Sequence, residues 1–367
     1  MRGTKNGRPD YILALITTIL LLLGIIVLAS VSTAISQQKF GSPYFYLIRH
    51  LLVGLAPGIL LGFIAYKVPL AFWEKRAPFF LLISLFLTAL VFFPKIGITL
   101  GGASRWLNLG FTSLQPSEFL KLTFILYLAA WLPQTAQKNK KNYSKILTAF
   151  LVILGLVALL LILQPNVSTL GIIAACGILI YFLSGSPWKY NLMIFSGALA
   201  VLAVLIKIAP YRFERILVFL RPDTDPMGMS YQIKQALIAV GSGGFWGRGL
   251  GMSIQKLGFL PEPMADSIFA VFSEETGFMG ALVLILLFLI FTYRGMKIAK
   301  ETIGFCKLAS FGITCWIIIQ AFVNIGAMLA ITPLTGIPMP FISYGGSAII
   351  AELIGVGILL NISRNYT

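Results

Sequence analysis

Long, uninterrupted apolar runs separated by short polar breaks dominate the chain. Ten such runs can be traced, at about 11–31, 46–66, 78–96, 116–133, 145–163, 168–184, 190–208, 266–291, 308–330 and 342–362. Roughly 20 apolar residues cross a bilayer core as a helix. The runs are continuous and do not alternate with period two, which excludes a barrel. The break between the fifth and sixth runs is only Gln164-Pro165-Asn166, the signature of a tight turn. The pattern therefore predicts an all-α polytopic membrane protein with ten transmembrane helices. It forms a single domain over 1–367, with one large polar connection, 209–265, between helices 7 and 8. No repeat of domain size and no Pro/Gly-rich linker divides it.

Composition agrees with this reading: 58% of residues are hydrophobic and 11% charged, against about 25% charged in a soluble domain. A net charge of +16 would suggest nucleic acid in a soluble protein. Here Lys and Arg collect instead beside the apolar runs, so no nucleic-acid partner is expected. Arg2, Lys5, Arg8, Lys67, Lys75, Arg76, Lys138, Lys140, Lys141, Arg294, Lys297 and Lys300 fall on one side, while connections 164–167 and 331–341 carry none. By the positive-inside rule both termini are cytoplasmic and 209–265 lies outside. The first run is longer than a signal-peptide core and is read as a retained helix. Cys176, Cys306 and Cys315 lie in apolar runs and read as small core residues. His50 is the only histidine, so His-based triads and zinc or iron clusters are excluded and no protein metal site is expected.

The chemistry must then rest on carboxylates and basic residues. In the outer segment 101–122, Trp106 suits a membrane interface, and Arg105 is an interfacial anchor or an anion contact. Glu118 and Lys121, three apart, share a helix face. Each alone would cost about 2.5–3.5 kcal/mol at mid-bilayer, so they form either a structural ion pair or a polar floor. In the long connection, Arg212, Arg215, Arg221, Lys234, Arg248 and Lys256 either attract anionic headgroups or bind phosphate. Residues 231–240 carry apolar positions at helical spacing and read as a short interfacial helix. The six glycines of 241–251 lack the G-K-[ST] and βαβ frame of a phosphate loop and read as a close-packing turn.

Four acids crowd the stretch 253–280: Glu262, Asp266, Glu274 and Glu275. Asp266 follows Leu-Pro-Glu-Pro-Met-Ala and opens an apolar helix. Partial desolvation there would tune it toward a working base, and the competing role is a helix N-cap. Glu274, eight residues on and about 12 Å deeper, and Glu275 read as packing or tuning groups. In 335–353 the Pro and Gly residues break the last run, as tolerated where backbone lines a polar cavity. Ser343, Tyr344 and Ser347 would line it and Glu352 would be an intramembrane acid; a plain outer loop is the alternative.

Taken together, G-G-A-S-R-W with Q-P-S-E-F-L-K-L, A-L-I-A-V-G-S-G-G-F-W-G-R-G-L-G, Q-K-L-G-F-L-P-E-P-M-A-D and P-M-P-F-I-S-Y-G-G-S resemble the SEDS family (shape, elongation, division and sporulation). This family of membrane peptidoglycan polymerases includes FtsW and RodA; the wording here and the ending L-L-N-I-S-R are closer to FtsW. The resemblance spans about 11–364. It implies a ten-helix fold and polymerisation of lipid II at the outer face of a bacterial cytoplasmic membrane. It also implies a class B penicillin-binding protein as partner, with other divisome or elongasome membrane proteins. The family's essential acid falls on Asp266 and its polar pair on Glu118 and Lys121. Arg105, Trp106, Arg212, Arg215, Lys256, Glu262, Ser343 and Tyr344 are the candidate substrate contacts. The chain departs from many division members at Gly258, Met264 and Ser267, where an acid, a His and an aromatic are usual. The implied reaction has Asp266 take a proton from the acceptor hydroxyl, which attacks the donor anomeric carbon with inversion. The pyrophosphate leaves without a second carboxylic acid, stabilised by Arg and Lys or by a divalent cation such as Mg. A transporter that flips lipid II is the alternative function, and a non-enzymatic scaffold a third.

Overall fold

The computed structural model describes residues 7–100, 103–110, 112–138, 143–208, 217–219 and 228–366. Helix α1 spans Tyr11–Phe40. Asp10 caps it by accepting the Leu13 N–H at 2.9 Å, and Gly41, at φ 68, ends it. Helix α2 runs Phe45–Lys67 and contains a π-helical segment, His50–Leu55. Helix α3 covers Leu70–Leu90. Then come α4, Pro116–Lys138, α5, Tyr143–Leu163, α6, Val167–Leu183, and α7, Trp188–Ile208. Helix α8, Met229–Ser242, precedes a single 3-10 turn, Gln255–Leu257. Helices α9, Ile268–Glu301, α10, Gly304–Met328, and α11, Gly346–Tyr366, complete the chain.

Each of the ten apolar runs overlaps one of these helices, although 78–96, 168–184, 266–291, 308–330 and 342–362 extend past the helical residues. Six helices, α1, α2, α5, α9, α10 and α11, are long and apolar enough to cross a membrane. Helix α6 is shorter, at 17 residues. Helix α4 carries Glu118 and Lys121 within its first turns. Helix α3 begins eight residues before the expected 78. Glu74, Lys75 and Arg76 ride on its first turns, because long charged side chains keep their heads in water without breaking a helix.

Two features correct the all-helical expectation. The segment before α4 is a three-stranded antiparallel sheet. Its strands are β1, Gly97–Leu100, β2, Ala103–Asn108, and β3, Ser113–Leu114, with Ile98 opposite Trp106 and Leu107 opposite Leu114. It ends directly at Pro116 and so fixes how α4 enters. The second is a break in α9 at Gly277, with φ 67 and ψ −166. Residues 268–275 before it are buried, whereas the stretch after it is partly exposed.

The glycine-rich segment repairs that break. Arg248 and Gly249 donate their N–H groups to the carbonyls of Glu274 and Glu275, both at 3.0 Å. In return, Phe278 and Met279 donate to Gly244 and Phe245, at 2.9 and 3.2 Å. The approach is so close that a Cβ on Gly243 or Gly247 would overlap the carbonyls of Ser273 or Glu275. A close-packing turn is thus what these glycines build, for the reason that backbone freed at membrane depth must find partners. The buried acids finish the join. Glu274 accepts from the Ser253 hydroxyl and from the N–H groups of Ile254 and Gln255, and pairs with Arg248 at 3.5 Å. Glu275 holds Lys256 at 2.8 Å and the Ser30 hydroxyl of α1 at 2.6 Å.

A second clasp sits at the start of α1. Arg294 binds the Asp10 carboxylate through Nε and Nη2 at 2.8 and 2.6 Å, and the Asp10 N–H donates to the Ser363 hydroxyl at 3.0 Å. It joins α1, α9 and α11.

Replacing Gly277 with Ala places a side chain in sparsely allowed backbone and against the Phe245–Gly247 backbone. Thermal unfolding in detergent should show a loss of at least about 1–3 kcal/mol. Gly155→Ala in α5, where a Cβ meets nothing within 4 Å, should instead be neutral or stabilise by up to about 1 kcal/mol.

Candidate active site

A cavity of about 290 Å³ opens where α2, the β2–β3 region, the approach to α9 and the start of α11 meet. Asp266 is its only lining carboxylate among the described residues; Arg49, His50, Trp106, Gln115 and Tyr344 also line it. The Asp266 side chain is partly exposed. Its Oδ2 lies 3.7 Å from where a Cβ on Gly336 would stand, and Gly336, at φ 66, leaves that space open. The N-cap position of α9 belongs to Ser267, one residue later, and the Ser267 side chain makes no capping bond.

The backbone that carries Asp266 is irregular and is held from two sides. Asn324 of α10 donates through Nδ2 to the carbonyls of Asp266 and Ile337, both at 2.8 Å. The Ser343 hydroxyl donates to the Ala265 carbonyl at 2.5 Å and accepts from the Met339 N–H at 2.8 Å. The Tyr344 N–H donates to the Met264 carbonyl at 2.9 Å. Segments 264–266 and 337–344 are therefore stitched into one unit.

Behind this unit lies a buried polar network whose side chains do not line the cavity, although it reaches the wall at Pro338. Lys121 pairs with Glu118 at 2.8 Å and donates to Gln320 Oε1 at 2.6 Å. The Trp316 indole donates to the same oxygen at 2.9 Å, and Lys121 Nζ lies 5.2 Å from the centre of that ring. Gln320 Nε2 then donates to the Pro338 carbonyl at 3.0 Å and to Glu352 at 3.2 Å, and Glu352 accepts the Phe341 N–H at 2.9 Å. Phe341 sits at φ 64, a costly backbone for a bulky residue. The Glu118–Lys121 pair is thus more than an isolated ion pair: through Gln320 it braces the loop that holds Asp266.

The other expected residues divide. Trp106 and Tyr344 line the cavity, and Ser343 is a buried brace behind it. Arg105 turns away from the lining and donates to the carbonyls of Gln164 and Pro165, anchoring the sheet to the α5–α6 turn. Lys256 is buried against Glu275, Ser30 and the Gly251 carbonyl, so it serves the α9 join and does not line the cavity. Glu262 is exposed at φ 47, and its carbonyl closes the turn by accepting from Ala265 and Ser267. Arg212 and Arg215 lie outside the described residues. Sequence reading passed over Arg49 and His50, whose signal was a polar pair interrupting the outer end of an apolar run.

A sequence profile of the cell cycle proteins FtsW, RodA and SpoVE matches residues 11–367. The chain belongs to this family. It is 38% identical to the probable peptidoglycan glycosyltransferase FtsW of Thioalkalivibrio sulfidiphilus, over 97% of this chain and 90% of that protein. It is 37% identical to stage V sporulation protein E of Bacillus subtilis, over 98% of both chains. Among solved structures, a chain from a peptidoglycan synthase complex that coordinates polymerisation and crosslinking superposes with a TM-score of 0.77, at 27% identity and 98% coverage of both. The rod shape determining protein RodA of Thermus thermophilus superposes with a TM-score of 0.71, at 25% identity over 98% of this chain and 97% of that one. The family sequence and the fold therefore agree over nearly the whole length.

Lys121→Met leaves Glu118 buried without its cation, and melting in detergent should show a loss of about 3–5 kcal/mol. The double change Glu118→Gln with Lys121→Met should cost less than the sum of the two single changes.

Proposed function

We propose that this chain is a peptidoglycan glycosyltransferase that polymerises lipid II at the outer face of the bacterial cytoplasmic membrane, with Asp266 as general base. The observation that carries the assignment is that Asp266 is the one carboxylate, among the described residues, lining a cavity otherwise walled by apolar residues, by polar groups such as Gln115, Tyr344 and Ser347, and by Arg49 and His50. Its backbone is fixed by Asn324 and Ser343. All ten long helices cross the membrane in this reading, with both termini cytoplasmic and the cavity facing outward. Helix α8 and the glycine-rich segment then belong to the outer connection between the seventh and eighth crossings, and that segment reaches back to Gly277 within the eighth. The fold shared with a chain of a peptidoglycan synthase complex supports a class B penicillin-binding protein as the crosslinking partner.

In the reaction, Asp266 accepts the proton of the acceptor sugar hydroxyl as that oxygen attacks the anomeric carbon of the donor. The bond from that carbon to the pyrophosphate breaks, its electron pair leaves with the pyrophosphate, and configuration inverts. The leaving group is already a stable anion, so the pair of carboxylates used by ordinary glycosidases is unnecessary. Tyr344 offers a phenolic hydrogen-bond donor at the cavity wall. Among the described residues no three metal-ligating side chains cluster. A divalent cation would be held by substrate pyrophosphate oxygens with at most Asp266 from the lining, in keeping with how Mg binds, and would neutralise developing charge.

Transport of lipid II without bond formation is less well supported. The polar groups it would need within the membrane, Glu118, Lys121, Gln320 and Glu352, are bonded to one another. The test is polymerisation of lipid II by the purified protein with its partner. Asp266→Asn should reduce the rate by about 10²–10⁴-fold while leaving melting nearly unchanged. Glycan strands made at the parental rate by that variant would rule out the base assignment.

A further inference from the structure

The cavity wall contains a set of groups that proton transfer does not use. Helix α11 starts at Gly346, and Gly345, Gly346, Ser347 and Ala348 all line the cavity. The first-turn N–H groups of a helix have no partner within it and form the positive end of its dipole. Gly345 and Gly346 are partly exposed, and Gly346 lets the α2 backbone at Val53 and Gly54 pack beside the helix start. Two side chains from α2 join it. Arg49 lines the same space and makes no salt bridge among the described residues. His50 is only 4% exposed, yet its Nδ1 is buried with no hydrogen-bond partner, and its ring lies 5.6 Å from that of Tyr344. A Cβ on Gly54 would stand 3.7 Å from His50 Nδ1 and 3.1 Å from the Gly346 Cα, so the imidazole and the helix start are neighbours.

Among the described residues, then, the cavity gathers a buried imidazole nitrogen without a partner, a guanidinium without a salt bridge and the start of a helix. The guanidinium and the helix start attract an anion, the imidazole donates to one through Nδ1 in its Nδ1–H tautomer, and together they suit a phosphate, which Arg grips through two parallel donors. We propose that Arg49, His50 and the N-terminus of α11 form a subsite for the pyrophosphate of a lipid-linked substrate. The inference rests on the glycosyltransferase reading and deepens it. The same cavity then holds the base that takes the acceptor proton and the groups that receive the negative charge as the anomeric carbon–oxygen bond breaks. A phosphodiester lipid headgroup presents similar oxygens, so the test must separate the two.

Inorganic pyrophosphate is titrated into the full-length protein in detergent and followed by phosphorus NMR line broadening. Parallel titrations use short-chain phosphatidylglycerol. The parent should bind pyrophosphate in preference to the phospholipid. Arg49→Gln and His50→Leu should each weaken that binding by about tenfold or more, the loss expected for a hydrogen bond to a charged group. Arg49→Lys and His50→Gln, which keep a donor, should retain part of it, and equal melting temperatures would show that the variants are folded. Folded variants that bind pyrophosphate like the parent would overturn the subsite. So would a parent that prefers phosphatidylglycerol, which would mark a lipid headgroup site instead. A parent whose pyrophosphate binding depends on Arg49 and His50, but which makes no glycan from lipid II, would uphold the subsite and sink the glycosyltransferase reading.

Discussion

Irregular backbone inside a membrane protein survives only when its N–H and carbonyl groups are satisfied, and this requirement shapes the whole site. Two irregular segments, the turn before α9 and the approach to α11, satisfy each other through Asn324, Ser343 and Tyr344. The Asp266 carboxylate is carried on one of these segments and part of the cavity wall on the other. Neither can shift alone without breaking the bonds that make both tolerable. Gln320 and Glu352 extend the constraint downward to the Glu118–Lys121 pair. Charges in the apolar interior therefore act on the cavity through geometry, by holding a strained loop in place.

The same principle operates at Gly277. A helix broken near its N-terminal end exposes backbone groups that lipid cannot bind, and the glycine-rich segment supplies the missing partners. The carboxylates of Glu274 and Glu275 then tie that segment to Ser253, Lys256 and α1. Of the four acids in this stretch, two are spent on architecture, one closes a turn with its main chain, and one faces the cavity. Position along the chain separates them poorly; what each neighbour needs separates them well.

That difference explains what could be read from the sequence. The helices were legible because a bilayer imposes a length and a continuous apolar surface, and both are written locally. Asp266 and the Glu118–Lys121 spacing were legible because their motifs are short. Gln320, the third member of the buried network, lies 199 residues from Lys121, and no local pattern links them. Lys256 could not be told from a phosphate ligand, since a charge does not name its partner. The sheet at 97–114 was missed because its strands are two to six residues long and have no alternating apolar face. Arg49 and His50 looked like the edge of a span, and only the convergence of α2 with α11 gives them a common cavity.

The clasp of Asp10, Arg294 and Ser363 bears on how the protein is made. Its hydrogen bond from Asp10 to Ser363 spans 353 positions. At about 5–20 residues per second, the last helix emerges roughly 18–70 s after the first. Early in that interval the Asp10 carboxylate has the Leu13 N–H it caps, then Arg294 arrives, and Ser363 comes last. Helix α1 thus gains its contact with α11 long after it has itself emerged.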